Sequence, residues 1–276
     1  MVETYAKPDV SVDVVLLTLV EGKLHVALHV RPKAPDEGKL ALPGGYAHVD
    51  DLAETDLEAT AFRVLREKVG LRPRYLEQLR TFSGRERDPT RGFTVAVSHV
   101  ALVPLEELRA AGDGVFHFYE VDSLPALAFD HNQQVAEAVQ RVRNKSSYST
   151  LPCWLLPEKF TLTQLQRTYE QIFGETVSRG TFRTRLGLKV GDVHPGEAVD
   201  EAGVIIATDE FQGGNQRPAR LFRVDQLGLF KGYDKWARQQ VQEANDDPRP
   251  TIAHEDVMNK ANARIEAMRK SKRGKS

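Results

Sequence analysis

A short amphipathic helix set between β-strand segments constrains this chain most. The stretch ATAFRVLREKVGL, residues 59–71, carries apolar residues at helical spacing and ends at a glycine. We predict a helix from about Leu57 to Val69 that Gly70 closes. Before it, SVDVVLLTLV and KLHVALHVRP predict a β-hairpin around the turn EGK, and LPGGY follows. This order indicates a mixed sheet with helices on its faces.

The segments after the helix complete that first domain. PRYLEQLRTFS and GFTVAVSHVALVP predict two strands on either side of a polar loop, GRERDPTRG. VFHFYEVDSLP predicts a short strand, and DHNQQVAEAVQRVRNK predicts a helix with one apolar side. We therefore expect a first domain over residues 1–150.

A different pattern begins at residue 151. TLTQLQRTYEQIFG predicts a helix capped by Thr161 or Thr163 and ended by Gly174, and VSRGTFRTRLGL predicts a second helix capped by Ser178. AVDEAGVIIATDEF and RPARLFRV then predict a β-hairpin. Two helices and a hairpin make a winged helix-turn-helix over residues 151–226, followed by a polar helical tail over 227–276. The fold class is α+β.

The composition excludes several classes of protein. Hydrophobic residues make up 41%, charged residues 28%, and the net charge is −1, so any basic surface must be local. The one cysteine, Cys153, excludes a disulfide framework within the chain, and its apolar surroundings, LPCWLLP, favour packing over nucleophilic chemistry. No apolar leader or bilayer-spanning run occurs, so we expect a cytoplasmic protein.

The stretch LPGGY with the following helix resembles the signature of the Nudix family. The positions that fit are Gly45, Arg63, Leu65, Glu67, Gly70 and Leu71. The spacing from Gly45 to Arg63 is four residues longer than usual, with HVDD or its neighbours as the insertion, and an upstream family glutamate falls on Thr55 beside Glu54. The resemblance implies an α/β/α sandwich.

Positions 64, 67 and 68 lie on one helical face, where the family's carboxylates bind divalent metal ions. Here they are Val64, Glu67 and Lys68. Valine offers no oxygen to magnesium, and a lysine would oppose a cation by about 4 kcal/mol at ~4 Å and an effective dielectric of ~20. We predict a domain without metal and without hydrolysis. Histidines elsewhere show no metal spacing, although His131 lies near the domain junction.

A pocket without catalysis should sense a ligand. The arginines of GRERDPTRG and of the second strand suit a diphosphate. The predicted ligand-binding residues are Arg31, Gly44, Gly45, Arg63, Glu67, Arg85, Arg87, Asp88 and Arg91. A solvated loop and an active pyrophosphohydrolase are the alternatives.

The segments AFDHNQQVAEAVQRVRNKSSYS, LLPEKFTLTQLQRTYEQIFG, SRGTFRTRL and GGNQRPARLFR look like the Nudix-related transcriptional regulators of NAD metabolism (NrtR). This resemblance covers residues about 10–224. It implies a repressor that forms a homodimer through its Nudix domains. It also implies that ADP-ribose or a related nucleotide acts as effector and releases the operator, with no cofactor required.

The second predicted helix of the winged domain favours DNA binding by its own charges. Residues 178–189 hold four basic residues and no acid. The predicted DNA-binding residues are Thr161, Ser178, Arg179, Thr181, Arg183, Thr184, Arg185, Lys189, Arg217 and Arg220. A winged helix that contacts protein instead is the alternative.

The tail from Tyr233 to about Ile265 resembles the C-terminal region of RelB/StbD-type antitoxins, most specifically in DDPRPTIAHEDVM. The resemblance implies a small RelE/ParE-like or other toxin as partner. Apolar anchors for it would be Trp236, Val241, Ile252, Val257, Met258 and Ile265. The alternatives are a solvated helical extension and a segment that packs on its own dimer.

Overall fold

The structure is a computed structural model that describes residues 7–111, 115–189, 192–213 and 218–230. The described residues all belong to one compact unit, Met1–Lys231. The predicted tail lies outside the described residues from position 231 onward. None of the helices described is long and apolar enough to span a bilayer.

A mixed seven-stranded sheet forms the first half of this unit. Its main path runs β3-β2-β1-β6-β5, with β4 paired to β1 and β7 paired to β2. The β1–β6 pair is parallel and the other pairs are antiparallel. The strands are β1 Asp9–Val20, β2 Lys23–Val30, β3 Leu40–Ala41, β4 Gly44–Tyr46, β5 Tyr75–Asp88, β6 Gly92–Leu102 and β7 His117–Glu120, and the helices are α1 Leu57–Val69, α2 Leu105–Ala111 and α3 His131–Ser146.

Strand β1 sits at the centre of this sheet and contributes to two apolar layers. Val12, Val14 and Leu16 pack in one cluster with α1 and α2, while Val15 and Leu17 pack in another with α3. The alternation follows from the period of two in a β-strand, and burial on both faces explains the nearly continuous apolar run. The expected α/β/α sandwich is confirmed.

Local signals set the predicted boundaries of α1 and of the first hairpin. Asp56 accepts a hydrogen bond from the Ala59 amide at 2.8 Å, and Gly70 ends α1 in the left-handed conformation, φ 69°. The helix therefore spans the predicted residues. The β1–β2 turn places Glu21 and Gly22 at positive φ, as in a type I′ hairpin turn.

The prediction of a loop over GRERDPTRG is mostly wrong. Strand β5 continues to Asp88 and pairs with β6 as far as Gly92, so only residues 89–91 turn the chain. β5 ends the strand order, and an edge strand can carry charged side chains into solvent. The polar sequence therefore does not exclude a strand here.

The second half of the unit has the expected winged-helix elements. These are a 3-10 helix Leu151–Leu155, α4 Leu162–Phe173, α5 Arg179–Leu186, β8 Ile205–Gln212 and β9 Ala219–Val224. Thr161 caps α4 through a complete capping box with Gln164, and Ser178 caps α5. Phe160 and Phe222 exchange backbone hydrogen bonds, at 2.9 and 2.7 Å, which attaches the start of α4 to the hairpin.

The first helix of the winged half also packs on the sheet half. Ile172 of α4 is 1% exposed and belongs to the same apolar cluster as Val15 and Val142. The Tyr169 hydroxyl donates to the Ser149 carbonyl at 2.7 Å, and Arg74 donates to the Leu156 carbonyl at 2.8 Å. The division at residue 150 stays a prediction, because buried contacts cross it.

Candidate functional site

The glycine pair before α1 allows close packing between β4, β1 and α1. A Cβ on Gly44 would lie 2.2 Å from an Asp13 carboxylate oxygen, and one on Gly45 would lie 2.9 Å from Val64. Val64 itself is 1% exposed. At the position where the family places a metal-binding carboxylate, this chain has a packed apolar side chain.

Arg63 joins α1 to the loop before it. It donates to the Glu54 and Glu67 carboxylates and to the Tyr46 carbonyl, the last at 2.6 Å. Burial alone would raise the pKa of Glu54, but hydrogen bonds from Thr60, the His48 amide and Arg63 outweigh it and hold that pKa at about 2. The glutamate that pairs with Arg63, the arginine of the signature, is therefore Glu54, one position before Thr55.

Glu67 forms an ion pair with a residue of its own helix. Its carboxylate lies 3.0 Å from an Arg63 nitrogen, one helical turn away, and is half exposed. Neither residue lines the cavity described next, so their place in the predicted ligand site remains a prediction.

Lys68 replaces a metal ligand with a positive charge. Its ammonium donates a hydrogen bond to the Gly44 carbonyl. Burial lowers the pKa of Lys68, and the positive charges of Arg31 and Arg63 lower it further against the attraction of Asp13. A divalent ion beside this carbonyl would meet both the charge and the volume of the ammonium.

A cavity of about 270 Å³ opens beside this lysine, between β1, β2, β4 and β5. We call it the cation-rich cavity, because five cationic and two acidic side chains line it: Arg31, Lys33, Lys68, Arg87 and Arg91 against Asp13 and Asp88. Within the described residues, Arg31, Lys33 and Lys68 form no ion pair with Asp13 or Asp88, the two acids that line the cavity. This excess of positive charge suits an anion such as a diphosphate.

A buried ionic network supports the floor of the cation-rich cavity. Arg87 forms ion pairs with Asp13 and with Asp130, the latter at 3.0 Å. Gln134 donates to both carboxylates, at 2.9 Å each. Asp130 precedes α3 yet makes no side-chain cap for it, since its carboxylate faces Arg87 instead. The network therefore connects the cavity to the first turn of α3.

His131 completes this floor. Its Nδ1 accepts the Leu42 amide at 3.0 Å, and its Nε2 lies 3.7 Å from Asp13. Burial lowers the pKa of His131 more than the nearby acids raise it. The residue is thus a neutral, buried hydrogen-bond acceptor.

The predicted ligand residues only partly converge. Six of them line the cation-rich cavity: Arg31, Gly44, Gly45, Arg87, Asp88 and Arg91. Arg85 lines a neighbouring cavity instead. Sequence reasoning did not select Asp13, Asp130 or Phe129 for the site, since they come from distant segments with no shared spacing, and it considered Lys68 only as an obstacle to metal.

Helix α5 presents a polar, positively charged surface. Ser178, Arg179, Thr181, Arg183, Thr184 and Lys189 are exposed on it or beside it. Gly187 ends the helix with φ 59°, and a Cβ there would lie 2.4 Å from Glu201. Lys189 is paired to Glu197 at 2.8 Å, which offsets part of the positive charge.

Other predicted DNA contacts are held within the protein. Thr161 is 5% exposed and its hydroxyl caps α4, so it is better described as a helix cap than as a DNA contact. The Arg185 guanidinium lies 4.6 Å from the centre of the Phe173 ring, and Arg220 donates to the Thr208 carbonyl at 2.8 Å. Arg217 lies outside the described residues.

The family of the chain follows from its relatives. The "ADPR responsive transcriptional repressor NtrR" of Acinetobacter baylyi is 34% identical over 223 residues, which cover 79% of this chain and 83% of that protein. The chain belongs to the NrtR family. Residues 152–189 match the family model described as the NrtR DNA-binding winged helix domain.

Solved structures agree with this membership. The crystal structure of Shewanella oneidensis NrtR complexed with a 27mer DNA is 31% identical, with a TM-score of 0.65, and the match covers 78% of this chain and 93% of that one. The expected Nudix domain followed by a winged helix is thereby confirmed.

Two further likenesses bear on function. The ADP-ribose pyrophosphatase of Methanocaldococcus jannaschii is 32% identical over 134 residues, 48% of this chain and 74% of that enzyme. Residues 231–260 match a family model described as a stability determinant. That match and the predicted toxin-binding residues, Trp236, Val241, Ile252, Val257, Met258 and Ile265, lie outside the described residues.

Proposed function

We propose that this NrtR-family chain is a transcriptional repressor that binds ADP-ribose, or a related nucleotide, without cleaving it. The effector occupies the cation-rich cavity, and the winged helix binds operator DNA through the exposed face of α5. The relative from Acinetobacter baylyi is described as an ADPR responsive repressor, and the relative from Shewanella oneidensis has been crystallised with a 27mer DNA. Such a repressor works where the genome lies, in the cytoplasm.

One observation carries the effector part of this proposal. The ammonium of Lys68 is bound to the Gly44 carbonyl in a cavity with five cationic side chains. A diphosphate attracted there meets lysine and arginine rather than hydrated magnesium. Its charge is neutralised, while no metal-bound water is positioned for attack.

Hydrolysis is the competing function, and the likeness to the Methanocaldococcus jannaschii pyrophosphatase favours it. Incubation of the full chain with ADP-ribose and magnesium tests it by release of AMP. We expect no turnover above a control without protein. Turnover that is abolished in Glu67→Gln would overturn the non-catalytic assignment.

Operator binding gives a second, independent test. The full chain should shift DNA from upstream of its own operon in a gel, and ADP-ribose should reduce the shift. A shift that ADP-ribose leaves unchanged at saturating concentration would separate DNA binding from sensing and refute the effector assignment.

Two assembly proposals complete the function. The chain forms a homodimer through its Nudix domains, as an operator with two half-sites requires. Its tail binds a small toxin, a role that the stability-determinant match at residues 231–260 supports. Light scattering should give twice the chain mass of 30.9 kDa. Co-purification with a toxin encoded beside the gene should be lost in Trp236→Ala.

A further inference from the structure

One lysine beside α5 differs from the nearby arginines because an acid neutralises its charge. Lys189 follows the helix, and its ammonium lies 2.8 Å from the Glu197 carboxylate. The Arg183 guanidinium donates to the Lys189 carbonyl at 3.3 Å, so this pair adjoins the exposed face of α5. Arg179 and Arg183, on the helix itself, form no ion pair in the described part of the winged half. A negative charge therefore lies at the edge of the surface assigned to DNA.

Hydrogen bonds fix Glu197 in this position. One carboxylate oxygen accepts from Lys189, and the other accepts from the His194 amide at 3.2 Å. The Ala207 amide of β8 donates to the Glu197 carbonyl at 2.9 Å. The Lys189 amide donates to the Val199 carbonyl at 2.8 Å, which ties the same segment to the end of α5. The bonds from Lys189 and from the His194 amide lower the pKa of Glu197, so the acid is charged at neutral pH.

Glu197 and a DNA phosphate compete for the same ammonium. Phosphate contacts supply nearly all of the binding to DNA of any sequence, whereas base contacts are added only in the specific complex. Lys189 can reach a phosphate only if its bond to Glu197 opens. An exposed ion pair opens at a small cost, so base contacts that hold α5 in the groove can supply it.

We propose that Glu197 is a specificity-determining residue, which keeps Lys189 from the backbone of unrelated DNA and releases it only in the operator complex. The inference rests on the proposed function, because it takes the exposed face of α5 as the surface that binds the operator. A phosphate contact carries no sequence information by itself. When it depends on correct base contacts, it adds to the discrimination between operator and other DNA.

The test compares two duplexes, DNA from upstream of the chain's own operon and a scrambled duplex of equal length and composition, each titrated with the full chain at several salt concentrations. In Glu197→Gln the amide oxygen still accepts from His194, so the melting temperature should be unchanged. For the scrambled duplex, the slope of log K against log salt should steepen by about 0.9, the effect of one added phosphate contact. This slope corresponds to binding that is about eightfold tighter at 0.1 M salt than at 1 M.

The operator duplex should respond differently, because Lys189 already contacts a phosphate in that complex. Its slope should be unaltered, and its affinity should rise by about twofold or less, since the ion pair no longer has to open. In the double variant Glu197→Gln/Lys189→Gln, the slope for the scrambled duplex should return to the wild-type value.

The matched control is Glu120→Gln, which removes the same charge from an ion pair in the sheet half. The Lys23–Glu120 pair is also 2.8 Å long, and its side chains are 63% and 33% exposed, against 53% and 35% for the pair in the winged half. Because it lies on β2 and β7, both slopes should match those of the wild-type chain.

An unchanged slope for the scrambled duplex in Glu197→Gln would overturn the assignment. An equal change for both duplexes would also overturn it, because the acid would then affect affinity alone. A steep slope that persists in the double variant would do the same, since the loss of negative charge would be its cause. These three results leave the proposed function standing, whereas a wild-type chain that binds both duplexes equally would overturn operator binding itself.

Discussion

Replacing Arg87 with alanine should strongly destabilise the Nudix domain. Arg87 and Asp13 are each 9% exposed and Asp130 is 18% exposed, so removal of the guanidinium leaves two largely buried carboxylates facing each other. Breaking a buried ion pair at one partner costs about 3–5 kcal/mol, because the remaining charge is uncompensated. Gln134 still donates to both acids but brings no charge, so we expect a loss within this range.

The experiment is urea unfolding of the full chain, followed by circular dichroism, with two comparison variants. Arg80→Ala breaks an exposed pair with Glu137, whose side chains are 55% and 44% exposed, and should cost about 0.2–1 kcal/mol. Arg87→Lys keeps the charge but not the planar fork, so its loss should be intermediate. If Arg87→Ala costs no more than Arg80→Ala, the network does not stabilise the domain and the reasoning is refuted.

Three other outcomes follow from the site. Burial lowers the pKa of Lys68, so this side chain loses its charge at a lower pH than an ordinary lysine does. The affinity for ADP-ribose should therefore begin to fall at that lower pH as the pH is raised above neutral. Calorimetry of Lys68→Met should show weaker binding that lacks this fall. The pKa of Glu54 is lowered to about 2, so its stabilising contribution is fully present above its ordinary pKa of 4.5 and is lost as the pH falls towards 2. Acid unfolding of Glu54→Gln should lack this pH-dependent loss of stability. Arg183→Ala should weaken operator binding and reduce the salt slope by about 1 with an unchanged melting temperature, and an unaltered gel shift at physiological salt would exclude this arginine from the interface.

The helix ends and the fold could be predicted from the sequence because their causes are local. Gly70 and Gly174 end their helices in the left-handed conformation, and Ser178 caps α5 by accepting a hydrogen bond from the Thr181 amide, three residues further on. Such signals need no tertiary information. The part of the strand over residues 84–88 was missed for the opposite reason, since its polar side chains are tolerated only because β5 lies at the sheet edge.

The candidate ligand site could be predicted only in part from the sequence. The arginines of β5 were selected because their number in one segment is visible, yet their partners are not: Asp13 lies 74 residues and Asp130 lies 43 residues from Arg87. Only the folded sheet brings these charges together. The same holds for Phe129, whose positive φ has no signal in its residue type.

The position of Ile172 affects how this protein can be dissected. A fragment ending at residue 150 would lack Ile172 and Trp154, and the apolar groups they cover beside Val142 would meet water. A sensor half prepared in that way could aggregate or lose affinity through this exposure alone. Loss of binding in such a fragment would then reflect the loss of these packing contacts, and it would not show which side chains contact the nucleotide.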